Sequence, residues 1–415
     1  MLNSESPADA RPAGTLSEVL RYFLRQGFLG FGGPLALIAL FQRELVEERQ
    51  WISFERFARA IALIKALPGP VSSQLAIYLG RARAGTLGGI VAGLALITPA
   101  FFMMIALAAF YTSIESLSWT RPILFGMQAA ALGVIADGIW RLARPYKTRG
   151  LFWVLALLAC AFTCLKPSIE PLVILGFGIA GVFLPKIFSR GSRTVLTALC
   201  IAIATAVLAT QFVFFDAHAV TNAAPVTHDW LASAPRPIQL IYIFVKAGAF
   251  TFGTGLAIIP MLASDVVERF HWLTPHQFMD ALAFGQITPG PVIITSTFVG
   301  YRVLGFGGAI LATVAVFAAA FFNILTWFPI AERKLAGREG TARFVMWAIA
   351  AVTGTLVFAL ARLAASPLPA GGPQSRALFL AIAAAAFFAA TRTRAPVWAV
   401  IPAGGLLAAL LAQLM

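Results

Sequence analysis

The sequence predicts an all-α polytopic membrane protein with about 13 hydrophobic helical segments, arranged as two homologous halves in an inverted repeat with broken helices. Three observations carry this. Of 415 residues, 60% are hydrophobic and only 12% are charged, about half the charge a water-soluble domain needs. A stretch near residue 23 recurs near residue 244 with its rarest residue types in place. Paired glycines and prolines interrupt the apolar runs at matching points of both copies.

Taken in order, residues 1–14 are a polar tail with Pro7 and Pro12, expected to be disordered and without the pattern of a signal peptide. Apolar segments follow at 16–42, 57–80, 86–111, 122–140, 150–165, 168–188, 194–215, 238–263, 277–301, 305–329, 343–364, 376–391 and 396–415. Each is expected to be helical, because backbone groups in lipid must be satisfied within the chain. The segments at 150–165 and 376–391 are short enough to dip in and return. The expected organisation is a tail (1–14), an N-terminal repeat (15–190), a linking transmembrane segment and loop (191–235) and a C-terminal repeat (236–415).

The net charge of +14 suggests nucleic acid only in the aggregate. Lys and Arg occupy short gaps between apolar runs, as loop charges of membrane proteins do, and form no stripe on one polar face. If all 13 segments cross, Arg81 and Arg83, Arg141 to Arg149, Lys186 to Arg193, Arg333 to Arg343, and Arg392 and Arg394 share one side. The rule that basic loops stay inside then puts the N-terminus in the cytoplasm of a bacterial inner-membrane protein. The loop from Arg43 to Arg56 dissents from that count. Cys160, Cys164 and Cys200 lie in apolar runs and read as small fillers, with no disulfide framework.

The repeat aligns Phe23–Val71 with Phe244–Val292 at a gapless shift of 221 residues. Identities include Gly27/Gly248, Phe31/Phe252, Gly32/Gly253, Glu47/Glu268, Trp51/Trp272 and Pro68-Gly69-Pro70-Val71 against Pro289-Gly290-Pro291-Val292. A slip of one residue then aligns Gly80 with Gly300 and Gly85 with Gly305. Seven segments separate the two starts, so the copies enter from opposite sides, the architecture of many secondary transporters. That parity survives if both leading segments of each half are re-entrant and fails if one alone is.

Each half carries two breaks, 36 residues apart: Gly32-Gly33-Pro34 and Pro68-Gly69-Pro70, matched by Gly253-Thr254-Gly255 and Pro289-Gly290-Pro291. Proline removes a backbone donor and glycine permits dihedrals other residues avoid, so each break should end one half-helix and start another. A helix start exposes free N–H groups and the positive end of its dipole, which suits an anion. Ser72, Ser73 and Gln74 add donors in the first copy; Thr288 and Thr295 do so in the second, beside Gln286 and the apolar Ile293 and Ile294. Glycine and proline that only kink or pack helices are the plainer alternative. Lys65, three residues before Pro68, and the equivalent cations Arg25 and Lys246 are candidate pathway charges, with snorkelling to the interface as the alternative. Asp137 and Arg141, one turn apart, read as an intrahelical pair, and Glu44, Glu47, Asp265 and Glu268 as interfacial structure. No phosphate-binding loop, nucleophile elbow or metal-ligand spacing is present in the sequence, so neither a catalytic residue, a metal nor a cofactor is expected.

The motifs FGGP at 31–34, RELVEERQW at 43–51, ALPGP at 66–70, QLAIYLG at 74–80, WLTPHQFMDALA at 272–283 and TPGP at 288–291 resemble the chromate ion transporter family, in its long two-domain form. The resemblance covers nearly the whole chain. It implies a secondary transporter, not an enzyme, that exports chromate from the cytoplasm and confers resistance. Moving a dianion out of a negative cytoplasm gains about 4.6 kcal/mol per 100 mV, so potential-driven uniport and proton exchange both suffice. Sulfate, also a tetrahedral dianion, stands as the alternative cargo, and a membrane enzyme or scaffold as the alternative class. The expected partners are chromate or sulfate, the lipid bilayer and protons, with a homodimer left open and nucleic acid excluded.

Overall fold

The structure is a computed structural model that describes residues 14–65, 67–165, 169–187, 230–252, 255–335, 339–365, 372–393 and 395–414. The linking span expected at 194–215 lies outside the described residues. The helices used below are α1 Leu16–Leu29, α2 Gly33–Phe41, α3 Phe54–Ile64, α4 Val71–Ser116, α5 Thr120–Ala143, α6 Gly150–Leu165, α7 Glu170–Ile187, α8 Arg236–Ala249, α9 Ile258–Leu262, α10 Pro275–Ile287, α11 Thr295–Phe322, α12 Phe328–Leu335, α13 Glu339–Ala365, α14 Pro373–Arg392 and α15 Val397–Leu414. Among the described residues there is no strand, and five helical stretches are long and apolar enough to cross a membrane.

Helix starts follow local chemistry. Thr15, Ser53 and Thr274 cap α1, α3 and α10 through their hydroxyls, and Gln277 reciprocates for Thr274 in a full capping box. α4 and α11 each hydrogen-bond as one helix, but each reverses at a glycine. Gly85 and Gly305 take φ of 67° and 60°, a conformation open to glycine. Gly80 therefore lies against Gly88 and Ala92, and Gly300 against Gly308 and Ala312. In a straight helix, positions eight apart would stand about 12 Å from each other. Each of these helices is thus a short limb, a tight turn and a long crossing limb, as the separate segments in the sequence require.

The structure also shows which segments run the full height of the bundle and which turn back within it. α1 and α2 form a hairpin: Leu37 packs on Gly30, the Phe41 ring lies 5.6 Å from Phe23, and Trp51 lies 5.4 Å from Tyr22. Trp51 and the start of α1 both meet Arg83 next to the Gly85 turn, through a cation–π contact of 5.5 Å and a Glu18 ion pair of 3.0 Å. α3 starts at that same face, runs inward to Pro68, and the short limb of α4 returns. Both leading segments of the first half therefore begin and end at one face of the bundle, the geometry of re-entrant segments. The second half repeats this from the other face, where α10 begins: Gln277 reaches Glu115, and Tyr111 donates to Asp280 at 2.6 Å. The long limbs of α4 and α11 run antiparallel, since Gly89 meets Leu325, Gly93 meets Phe321, and Thr112 accepts from Arg302 at 2.8 Å. The halves are inverted, as the parity of the sequence requires. The re-entrant geometry also moves the Arg43–Arg56 loop to the face of Arg81 and Arg83, which removes the dissent in the charge count.

The remaining helices are exchanged between halves. α5 of the first half packs on α14 and α15, while α13 of the second packs on α6 and α7. Small residues allow the close approach: Gly133 sits on the Ala383 carbonyl, and its repeat equivalent Gly354 sits on the Ala156 carbonyl. Leu87, Leu94, Phe102 and Phe110 form an exposed apolar stripe along α4, suited to lipid.

Two outcomes follow. In a background without native cysteines, single cysteines at Gln50 and Lys147 react with an impermeant thiol reagent from one side of the membrane, and one at Glu115 from the other. Labelling of Gln50 from the side of Glu115 would mean that the first segment crosses. Second, Gly133→Val and Gly354→Val each lower thermal stability in detergent, by about 1–3 kcal/mol, because a Cβ there meets backbone.

Candidate functional site

The four breaks meet at the centre of the bundle. Gly32, Gly33, Gly69, Gly255 and Gly290 all have positive φ, from 74° to 123°. The breaks satisfy one another across the halves. The Gly69 N–H donates to the Thr251 carbonyl at 2.5 Å, and the Gly290 N–H donates to the Gly30 carbonyl at 3.1 Å. Gly30 and Thr251 are themselves 221 residues apart, so the two bonds are copies of one contact. Gly69 faces Ala320 on α11, and Gly290 faces Ala100 on α4. The freed Pro68 carbonyl accepts from Gln74 Nε2 at 2.6 Å and from Asn323 Nδ2.

The predicted donors divide into two sets. Ser72, Ser73 and Gln74 are fully buried behind Pro70, and both serine hydroxyls lack a partner. In the second copy Thr288 turns back to the Phe284 carbonyl at 2.7 Å and Thr295 to that of Val292 at 3.1 Å, so neither offers a free hydroxyl proton. Ser296, which the sequence reading passed over, is buried there without a partner. Pro289 and Pro291 flank Gly290 as expected. Gly253 and Thr254, and the side chain of Pro34, lie outside the described residues.

The predicted cations are not gathered at the breaks. Lys65 is exposed at the C-terminal end of α3. Arg25 is exposed, lining a surface hollow with Arg21 and Arg49. Lys246 is held by Asp265 at 2.5 Å, and Asp265 also meets Arg269 at 3.6 Å.

A cavity of about 350 Å³ instead brings together residues from both halves. Gly32, Gly33 and Ala36 at the start of α2 form one wall, and Asp137 and Arg141 of α5 form another. Gln286 and Val292 flank the second Pro-Gly-Pro at its inner end, while Thr393, Ala395, Pro396 and Val397 line the rim near Arg141. The Asp137–Arg141 pair exists as expected, at 2.6 Å, but in the cavity wall. Asp137 also accepts from Thr391 at 3.0 Å, and Arg141 donates to the Ala390 carbonyl at 2.6 Å. Gln286 Nε2 is buried without a partner. Gln286 is also the repeat equivalent of Lys65, a correspondence that would have drawn attention to it from sequence. The volume holds a small oxyanion with several waters, since one water occupies about 30 Å³. Its donors are a helix start, an amide and a guanidinium, while the charges of Asp137 and Arg141 cancel. Among the described residues no group of His, Cys, Asp or Glu could hold a metal.

A family model described as "Chromate transporter" matches residues 17–182 and 238–410. A probable chromate transport protein of Synechococcus elongatus is 36% identical over 365 residues, 87% of each chain. Chromate transport proteins of Cupriavidus metallidurans and Pseudomonas aeruginosa are 35% and 32% identical, over 88% and 95% of this chain and 88% and 92% of theirs. No solved structure matches. With two inverted copies of one broken-helix unit, each covered by the same family model, this multi-pass membrane protein belongs to the chromate transporter family.

Proposed function

We propose that this chain is a secondary transporter that exports chromate from the bacterial cytoplasm across the inner membrane. The observation that carries the reading is the cavity that runs from one face to the meeting point of the breaks. It joins Gly32 and Gly33 of one half to Gln286 and Val292 of the other, so cargo there touches both inverted units. Alternating access requires a site of that kind. Helix starts and neutral donors suit a tetrahedral dianion, and the guanidinium of Arg141 stands in the same wall. The relatives named for chromate transport supply the identity of the cargo.

Orientation follows from the basic residues. Arg43, Arg49, Arg56, Arg81, Arg83, Arg144, Lys147, Arg149 and Arg392 lie towards the face that bears the start of α1. The rule for basic loops makes that face cytoplasmic, and the cavity then opens inward. Outward movement of the dianion is favoured by the membrane potential, at about 2.3 kcal/mol per charge per 100 mV. The substrate contacts in this reading are the first-break glycines Gly32 and Gly33, with Gln286 and Val292 on either side of the second Pro-Gly-Pro, while Ser72 and Ser73 stay buried behind Pro70.

The test is chromate uptake into everted vesicles with sulfate as competitor. Saturable chromate uptake that sulfate suppresses only weakly supports the reading. Equal competition would make the protein a general oxyanion carrier, and absence of flux in inserted protein would refute transport. Gly69→Leu abolishes uptake in protein that still inserts, because a side chain at φ 123° is strained and meets Gln74. Gly290→Leu impairs it less, since the space around its Cβ is ordinary. Lys65→Ala leaves uptake per inserted protein unchanged, because Lys65 is exposed and outside the cavity, and a loss of uptake larger than the loss of abundance would put it on the pathway.

A further inference from the structure

The cavity beside Arg141 has a counterpart that is shut. The shift of 221 residues extends into α5 and α13: Gly133 and Gly354 correspond, each seated on a carbonyl of an exchanged helix, and Arg141 and Arg362 each lie in the last turn of theirs. Ala36, Val134, Gln286 and Val292 of the cavity wall map onto Ala257, Thr355, Lys65 and Val71. On that second side, α9 packs directly on α13 and α7, and Ala257 and Thr355 are both 0% exposed. Where α2 stands off α5 across the cavity, the turn that follows α9 is held by Arg362, which meets Glu268 at 2.5 Å. The copy of Glu268 on the open side is Glu47, which is exposed and accepts from Gln42 at 3.0 Å. Arg141 is there held by Asp137, at a position where α13 has the uncharged Phe358.

We propose that Arg141 and Arg362 are used in turn as oxyanion-contacting cations. Whichever arginine lies on the open side faces the substrate. The other is locked to a glutamate of the opposing hairpin: Glu268 for Arg362 in this state, and Glu47 for Arg141 once the protein has switched. This rests on the transport reading and names the cationic residue at that site. In the present state the arginine keeps its Asp137 partner at Nε and its Ala390 partner at Nη2, and Nη1 is directed to neither. Breaking one arginine–glutamate pair while making its copy keeps the number of ion pairs constant. The two states then stay close enough in free energy for a modest differential affinity to exchange them.

Two measurements test this in a background in which Cys160, Cys164 and Cys200 are replaced. The first uses a short bifunctional thiol reagent on the full-length protein in everted vesicles. E47C/R141C does not cross-link at rest and does so once Glu268→Gln is added to open the far side. Failure of E47C/R141C to cross-link in the Glu268→Gln protein overturns the exchange. The second is chromate KM. Arg141→Gln raises it about tenfold, the scale of one charge-assisted hydrogen bond, and Asp137→Asn added to Arg141→Gln leaves it raised. Return of KM to normal in that double variant would show that the loss came from an orphaned Asp137, overturning a contact between Arg141 and the anion. Cross-linking requires no flux, so a failure of the chromate reading leaves the exchange separately visible.

Discussion

A helix that stops inside hydrocarbon leaves amides and carbonyls that no solvent will take, and four such stops occur in this chain. The cost of one unpaired backbone group in a dry interior is about 1–3 kcal/mol from protein data and more in lipid. Here the groups at the breaks are paired across the repeat: the amide at each Pro-Gly-Pro reaches the carbonyl at the first break of the other half. The amides of Gly69 and Gly290 find their partners only in the other half, so the inverted pairing completes what each break leaves open. The placement of Gly69 on Ala320 and Gly290 on Ala100, the antiparallel long limbs and the cavity at the break all depend on that crossing.

Symmetry of the scaffold coexists with asymmetry of the site. Both halves keep their π-helical turns at 42–48 and 263–269, their positive-φ residues at Gln50 and His271, and their glycine reversals. Yet one side is hollow and the other filled. The filled side is where carboxylates and cations are matched, with Lys246 on Asp265 and Arg362 on Glu268. On the hollow side the corresponding Arg25 and Glu47 face outward. A pseudo-symmetric protein caught in one of two states should differ between its halves in this manner.

Much of the fold was legible in the sequence because repetition preserves rare residues. Tryptophan, glycine and proline at one shift pointed to the breaks at Gly32-Gly33, Pro68-Gly69-Pro70 and Pro289-Gly290-Pro291, where the described chain has glycines of positive φ. The limits were equally physical. Hydropathy reports that a run is apolar, not whether it crosses or turns back, and α1 with α2 carries as much apolar length as a crossing helix does. The reversals at Gly85 and Gly305 were placed correctly as segment ends. Of the residues the spacing singled out, Gly32 and Gly33 line the cavity, Ser72 and Ser73 are buried behind Pro70, and Lys65, Arg25 and Lys246 lie outside its lining. Lys65 was favoured for its charge at depth, yet the cavity holds its copy Gln286. Arg141 was set aside because its partner lies one turn away, and sequence distance cannot show that a local ion pair also faces a cavity built by distant helices.

The exchange of α5 and α13 between halves has a consequence for synthesis. α6 and α7 leave the ribosome well before α13, the helix against which they pack, has been made: nearly 180 residues lie between Ile187 and Ala365. At about 5–20 residues per second, roughly ten to thirty seconds pass before that partner exists. During this interval the Ala156 carbonyl ridge that awaits Gly354 faces lipid or the insertion machinery instead. A nascent chain halted after its first repeat therefore holds helices whose mates have yet to arrive.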